Sequence, residues 1–239
     1  TSGTDQTDID FANFEKFTIS GTKYTDVTGN GLSGDDTGLG GVTVFIDVND
    51  NDLDDDGYST VTAANGSWSI ANLTYAVAGA EVKEITPNGY VQTVGQVGTI
   101  TDTSGTHLIV GTSGANQSGL NFANFEKFTI SGTKFTDRTG NGITADDTGL
   151  GGVTVFIDVN GNNTNDDGYS AVTAANGTWS IANLDYTVAG KEVKEVPTAG
   201  YVQTVGQVGT VTDTSAINVI TGTSGTNQGG LNFANFEKM

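Results

Sequence analysis

NFANFEKFTISGTK, residues 121–134, decides how the rest of the chain is read. The stretch lacks proline and is rich in β-forming residues. It looks like the last strand of one domain running almost directly into the first strand of the next. The motif recurs: DFANFEKFTISGTK fills 10–23, and NFANFEK begins again at 232. Phe11 to Phe122 is 111 residues, and Phe122 to Phe233 is 111 again. GLGGVTVFIDVN starts at Gly38 and Gly149, and GYVQTVGQVGT at Gly89 and Gly200, so no insertion or deletion intervenes. Thr1-Ser2-Gly3 likewise matches Thr112-Ser113-Gly114. A period this long exceeds a solenoid unit and suits an independent domain. The expected organisation is the tail of a preceding copy at 1–16, one copy at 17–127 and a second at 128–239. The direct junction would limit bending between them, a property suited to a stalk.

Composition narrows the class. Glycine is abundant at 35 residues, proline scarce at 2, and hydrophobic residues make up 35%. Each copy carries seven or so short runs bounded by turn signals, which reads as an all-β sandwich. In the first copy these runs are 17–23, 41–47, 58–62, 67–73, 80–86, 90–94, 106–110 and 120–125. Ala63–Gly66, AANG, is a hairpin signal, and Pro87-Asn88-Gly89 marks another turn. No segment shows sustained helical periodicity. The net charge of −19, with only nine basic residues, excludes nucleic acid and anionic membrane as partners, since both need a basic footprint. There is no cysteine, hence no disulfide or thiolate chemistry. No apolar run is long enough to span a bilayer.

The acid is concentrated in turns. DVNDNDLDDDGY, residues 47–58, holds six aspartates and no base. Read as D-x-N-x-N, it offers Asp47, Asn49 and Asn51, then the carbonyl of Leu53, then Asp55 and Asp56. Alternating oxygen ligands on a tight loop suit a calcium site of EF-hand type without the flanking helices. A second loop offers Asp26, Thr28, Asn30, the carbonyl of Leu32, Asp35 and Asp36. The second copy repeats both, through Asp137, Thr139, Asn141, Ile143, Asp146 and Asp147, and through Asp158, Asn160, Asn162, Thr164, Asp166 and Asp167. Asp50, Asp52 and Asp54 become Gly161, Asn163 and Asn165. Those carboxylates are expected to be outer or solvated, and the second site weaker. Zinc is disfavoured by the absence of Cys and the single His.

SGTKYTDVTGNG, GLGGVTVFIDVN, DDGYSTVTAANGSWSIANL, VKEITPNGY and NFANFEK, in that order, resemble the SdrD B-like domains of bacterial surface adhesins. The resemblance covers each full copy and implies tandem β-sandwiches of transthyretin-like or immunoglobulin-like type. It implies Ca2+-stiffened stalk domains that hold a ligand-binding head away from the cell, with neighbouring repeats of the same chain as partners. The expected chain is extracellular or cell-surface, monomeric and not an enzyme. Related modules carry an intramolecular Lys–Asn isopeptide bond promoted by an acid. The parts are present in type: Lys23, Glu84 and Asn121 or Asn124, then Lys134, Glu195 and Asn232 or Asn235. Beside its acidic loop, Lys23 is expected to be solvated or ion-paired. Trp68 and Trp179 suit a sugar-stacking platform or, on an alternating strand, the core. His107, whose counterpart is Asn218, argues against a role repeated in both copies.

Overall fold

The computed structural model describes residues 10–95, 107–206 and 218–238. Thr1–Gly3, the ends of both GYVQTVGQVGT segments and Thr106 lie outside the described residues. The chain forms two compact units. One comprises residues through 24, 37–87 and 92–123, and the other 25–36, 88–91 and 124–239.

In the second unit, β9 (Phe128–Thr136), β10 (Thr148–Gly149), β11 (Thr154–Asp158) and β12 (Ser170–Val172) are followed by β13 (Thr178–Leu184). Then come β14 (Glu192–Glu195), β15 (Tyr201–Val205) and β16 (Phe233–Glu237). One sheet runs β10-β9-β16-β15, with β13 also on β9, and a three-stranded sheet runs β12-β11-β14. The first copy supplies the counterparts β1 (Phe17–Thr25), β2 (Thr37–Gly38), β3 (Thr43–Asp47), β4 (Ser59–Val61) and β5 (Ser67–Leu73). β6 (Glu81–Glu84), β7 (Tyr90–Val94) and β8 (Phe122–Glu126) complete it. Its sheets run β2-β1-β8-β7, with β5 on β1, and β4-β3-β6.

Period-two patterning builds the sandwich. In β9, Phe128, Ile130, Gly132 and Lys134 share one face. Phe128 and Ile130 pack with Trp179 and Ile181 of β13, Val155 and Ile157 of β11, Val193 of β14 and Phe233 of β16. The facing sheets thus enclose one apolar layer. The first unit has its own such layer, including Phe17, Ile19, Val44, Ile46, Trp68, Val82 and Phe122. Gly132 is fixed by close approach, because a Cβ there would lie 2.0 Å from the Leu231 carbonyl oxygen and 2.9 Å from the Trp179 ring.

Two elements differ from the sequence reading. AANG forms its turn, with Gly66 at φ 81° and its N–H on the Ala63 carbonyl at 2.7 Å. The strands it joins do not pair, however, since β4 lies on β3 and β5 on β1. The turn passes the chain from one sheet to the other. Of the strand expected at 106–110, the described residues 107–110 form a single bridge, Glu81 to Leu108. The Gln117 side chain takes the place of a neighbouring strand, accepting from Val110 N–H and donating to the Leu108 carbonyl, so those backbone groups are satisfied without a ladder.

β9 and β16 are parallel neighbours, with Phe233 opposite Lys134 and Asn235 opposite Thr136. The first and last strands of the second copy therefore lie side by side. Across the β11–β14 pairing, Val155 faces Glu195 and Ile157 faces Val193, so Glu195 shares the core-facing side with Val193. These placements define the site.

Candidate functional site

Lys134 enters the core from β9, and Glu195 enters it from the opposite sheet. Their charged ends meet at 2.8 Å, with the side chains 0% and 2% exposed. Lys23 and Glu84 form the same pair in the first unit, at 2.8 Å and fully buried. The lysines are ion-paired and not solvated, because alternation in FTISGTK puts the lysine on the Phe-Ile-Gly face. Burial pushes the Lys134 ammonium down to about 8, against the opposing attraction and hydrogen bond of Glu195. Desolvation disfavours the charged amine here, so a neutral amine is accessible near physiological pH.

Asn235 stands beside this pair in sequence register, on the strand next to β9. It is 1% exposed, and its Oδ1 has no hydrogen-bond partner. Leaving a buried amide oxygen unsatisfied costs about 1–3 kcal/mol. Asn232 is different. Its Oδ1 accepts from Thr133 N–H at 2.8 Å, as Asn121 accepts from Thr22 N–H at 2.9 Å. Of the two asparagines considered in each copy, these have a structural occupation. Asn124, 111 residues before Asn235, is 0% exposed, and neither its Oδ1 nor its Nδ2 has a hydrogen-bond partner.

An amine, a carboxyl and a carboxamide brought together in an apolar enclosure would form a reactive set. The amine is a nucleophile when neutral, the amide carbon an electrophile, and the acid a proton carrier. The surrounding low-polarity layer is what makes the neutral amine attainable.

The acidic loops are built differently. Asp26 and Asp137 are fully buried and turn inward onto backbone. Asp137 accepts from the N–H groups of Gly140, Asn141 and Gly142 at 2.7, 3.2 and 2.9 Å, and Asp26 does the same with Gly29, Asn30 and Gly31. Asp36 accepts from Val27 and Ser33 N–H, and Asp147 from Arg138 and Thr144 N–H. Asp35 and Asp146 take the hydroxyls of Ser33 and Thr144. The side chains of Leu32 and Ile143 are partly exposed, at 43% and 38%.

In the second loop, Asp47 accepts from Lys83 Nζ at 2.6 Å, and Asp52 takes the same ammonium at 2.6 Å. Lys194 meets Asp158 in the other copy, and Asn163 Oδ1 keeps the Asp52 contact at 2.7 Å. Asp50 is solvated, at 92% exposure. Burial pushes the Asp47 and Asp158 carboxyls up, but the lysine hydrogen bonds and nearby backbone N–H groups outweigh it and hold both below the usual range. This countercharge was hidden in VKE, whose central lysine faces away from the core onto the loop.

Around Asp55, side chains do gather. The amides of Asn49 and Asn51 lie 3.2 and 2.9 Å from its oxygens, and Asn160, Asn162 and Asp166 repeat the cluster at 3.2 and 2.9 Å. Asp56 and Asp167 accept backbone N–H groups across the loop, from Val48 and Val159 at 2.8 Å. The carbonyls of Leu53 and Thr164 accept from Asp55 and Asp166 N–H. Among the described residues, no three His, Cys, Asp or Glu side chains form a metal-holding group. Any oxygen set on this loop would therefore draw on amide or backbone carbonyl oxygens as well as carboxylates.

Other candidates resolve simply. Trp68 and Trp179 are each 5% exposed and lie in the cores. His107 Nε2 lies 2.6 Å from the Asn121 carbonyl, and Asn218 Nδ2 donates to the Asn232 carbonyl at 2.9 Å. One tether is thus made by two residue types. Among the described residues, no helix is long and apolar enough to cross a membrane.

No family model matches the chain. No curated protein matches it either. Several solved structures are similar at low identity. The Bacillus anthracis TIE protein shares 17% identity at a TM-score of 0.34, over 93% of this chain. A streptococcal ancillary pilin shares 15% at 0.37 over 95%, and the shaft pilin SpaA from Lactobacillus rhamnosus GG shares 14% at 0.31 over 94%. The chain spans 34% of the first protein's length, 64% of the second's and 98% of the third's.

Proposed function

We propose that the chain is a pair of structural repeats from the stalk of a bacterial surface adhesin, each locked by a self-formed Lys–Asn isopeptide bond. The observation that carries this reading is the buried set Lys134, Glu195 and Asn235. The 111-residue register gives the first copy the same three residues, Lys23, Glu84 and Asn124.

The chemistry balances without a cofactor. The Lys134 ammonium passes one proton to Glu195, giving a neutral amine and a neutral acid. Nζ attacks Cγ of Asn235 while the Glu195 O–H hydrogen-bonds to Oδ1, whose oxygen lacks another donor. The Cγ–Nδ2 bond breaks, protons pass through Glu195 to the departing nitrogen, and ammonia leaves. One C–N bond forms, one breaks, and nothing is oxidised.

The topology gives the bond a purpose. It would tie β9 to β16, the first and last strands of the copy. Tension entering at one end and leaving at the other would pass through a covalent link and not through sheet hydrogen bonds. Such a module suits an extracellular spacer, and a surplus of exposed carboxylate keeps it soluble.

Denaturing mass measurement of the intact chain tests the reading. Two bonds lower the mass by two ammonias, and Lys134→Ala restores one of them. A mass equal to that of the unmodified sequence would sink the lock.

A second component of the proposal is calcium at the Asp55 and Asp166 clusters. Its support is the convergence of two asparagine amides on one carboxylate. Turning the Asn49 amide over exchanges N for O, whereas the Oδ1 atoms of Asn51, Asn160 and Asn162 already accept backbone N–H groups and would offer a cation their remaining lone pairs, with Asp47 and Asp158 committed to lysine. Extracellular sites bind with Kd of about 10⁻⁴ to 10⁻³ M, which at millimolar calcium gives about 0.4–1.4 kcal/mol per site. Thermal unfolding in calcium, magnesium and EDTA tests it, and three coincident curves would remove calcium from the account.

A further inference from the structure

A set of contacts in the first unit recurs 111 residues later. Phe14 packs edge-on against Phe17 and Tyr75, with centroids 6.2 and 5.9 Å apart. Glu15 N–H donates to Ser113 Oγ, and its carbonyl accepts from Gly114 N–H, both at 2.9 Å. In the second unit, Phe125 meets Phe128 and Tyr186 at 6.1 and 5.9 Å. Glu126 makes the same two bonds with Ser224 at 2.7 Å and Gly225 at 2.9 Å. Each Phe-Glu pair closes one copy of the repeat, and each set of partners belongs to the copy that follows in sequence.

The pair occurs a third time, as Phe236-Glu237. Among the described residues no ring stacks on Phe236, and no Ser-Gly turn meets Glu237. Phe236 is half-buried, as Phe14 is, and Glu237 is exposed, as Glu15 and Glu126 are, so the third pair differs from the other two in its partners. The neighbouring turn shows the same asymmetry. A Cβ on Gly29 would lie 2.0 Å from Tyr186 Cβ, while on Gly140 the nearest atom is a Phe236 ring carbon at 3.6 Å. Asp137, Arg138, Phe236, Glu237 and Lys238 line an open concavity at this place.

We propose that this concavity is the docking site for a further copy of the same repeat, presented through the tyrosine equivalent to Tyr75 and Tyr186 and the turn equivalent to Ser113-Gly114. The partner is identified by two in-register precedents within the chain. The inference deepens the stalk reading and rests on it for the tandem arrangement. It supplies the recurring joint and does not depend on the isopeptide bond.

The test extends the full chain in register, with residues 17–127 placed directly after Lys238. Amide hydrogen exchange is then followed at Glu237 by NMR. Docking slows the Glu237 amide by about tenfold, as expected when an open N–H gains an ordinary hydrogen bond, and brings it toward the rate of Glu126. Changing the Tyr75 equivalent of the added copy to Ala restores fast exchange. Should that variant unfold the added copy, Ser→Ala at the Ser113 equivalent removes the acceptor alone and gives the same readout. Unchanged Glu237 exchange beside a protected third-copy core would overturn the docking site. Slowed exchange in a chain of unmodified mass would keep the docking site and discard the lock.

Discussion

Replacing both members of the buried pair, Lys134→Met with Glu195→Leu, separates a covalent lock from an ordinary ion pair. If Lys134 and Glu195 were only a buried salt bridge, apolar residues of similar volume would be neutral or stabilising by about 1–4 kcal/mol. If Lys134 is bonded to Asn235, the double variant also loses a cross-link between positions 101 apart (235 − 134). By chain entropy, closing a loop of about 100 residues contributes about 4.7 kcal/mol, taking a disulfide as the guide. The net expectation is a loss of roughly 1–5 kcal/mol, against no loss or a gain in the salt-bridge case. Urea unfolding followed by Trp179 fluorescence, in a Trp68→Phe background, reads the second unit alone. The urea slope should also steepen, because an open denatured chain exposes more surface than a looped one. A double variant at least as stable as its parent, with an unchanged slope, would refute the reasoning.

Three more outcomes follow from the geometry. Asn235→Ala should leave the intact mass one ammonia below that calculated from its sequence instead of two, while Asn232→Ala keeps both bonds and costs about 1 kcal/mol for the lost Thr133 contact. In that Asn235→Ala chain, whose second copy lacks its cross-link, Lys134 titrates at about 8 when folded and near 10.4 when unfolded. The unfolded state then holds the extra proton between those values, so stability rises as pH climbs through that window, and a flat profile in urea titrations would count against the buried amine. Asp47 and Asp158 have lowered folded pKa values. Their contribution is full above the ordinary aspartate pKa of about 3.9 and drains as pH falls below it, which Lys83→Met with Lys194→Met should alter in acid-unfolding curves.

Much of the site was legible as alternation. Lys134 sits in the same register as Phe128, Ile130 and Gly132, Glu195 in that of Val193, and Asn235 in that of Phe233. A period-two reading carried through to the polar members would have buried all three. The neighbouring Asp26 obscured this by suggesting a solvated setting for Lys23, yet Asp26 itself is buried among backbone amides. The parallel pairing of β9 with β16 could not be read, since about a hundred residues separate them and nothing local encodes long-range partners. The AANG turn was legible, but whether its arms pair or part depends on which sheet each must cover. Lys83 was missed as the loop's countercharge because it lies 36 residues from Asp47 and meets it only through the β3–β6 pairing.

The near-identity of the copies leaves a hazard in assembly. β8 and β16 share the sequence FANFE, and β1 and β9 differ only at Tyr24 and Phe135. A closing strand therefore carries no label for its own opening strand, and exchange between copies competes with correct closure in any chain refolded whole. Emergence from the ribosome resolves the ambiguity, because the first closing strand is made before the second opening strand exists. A bond sealed at that moment would turn order of synthesis into permanent connectivity.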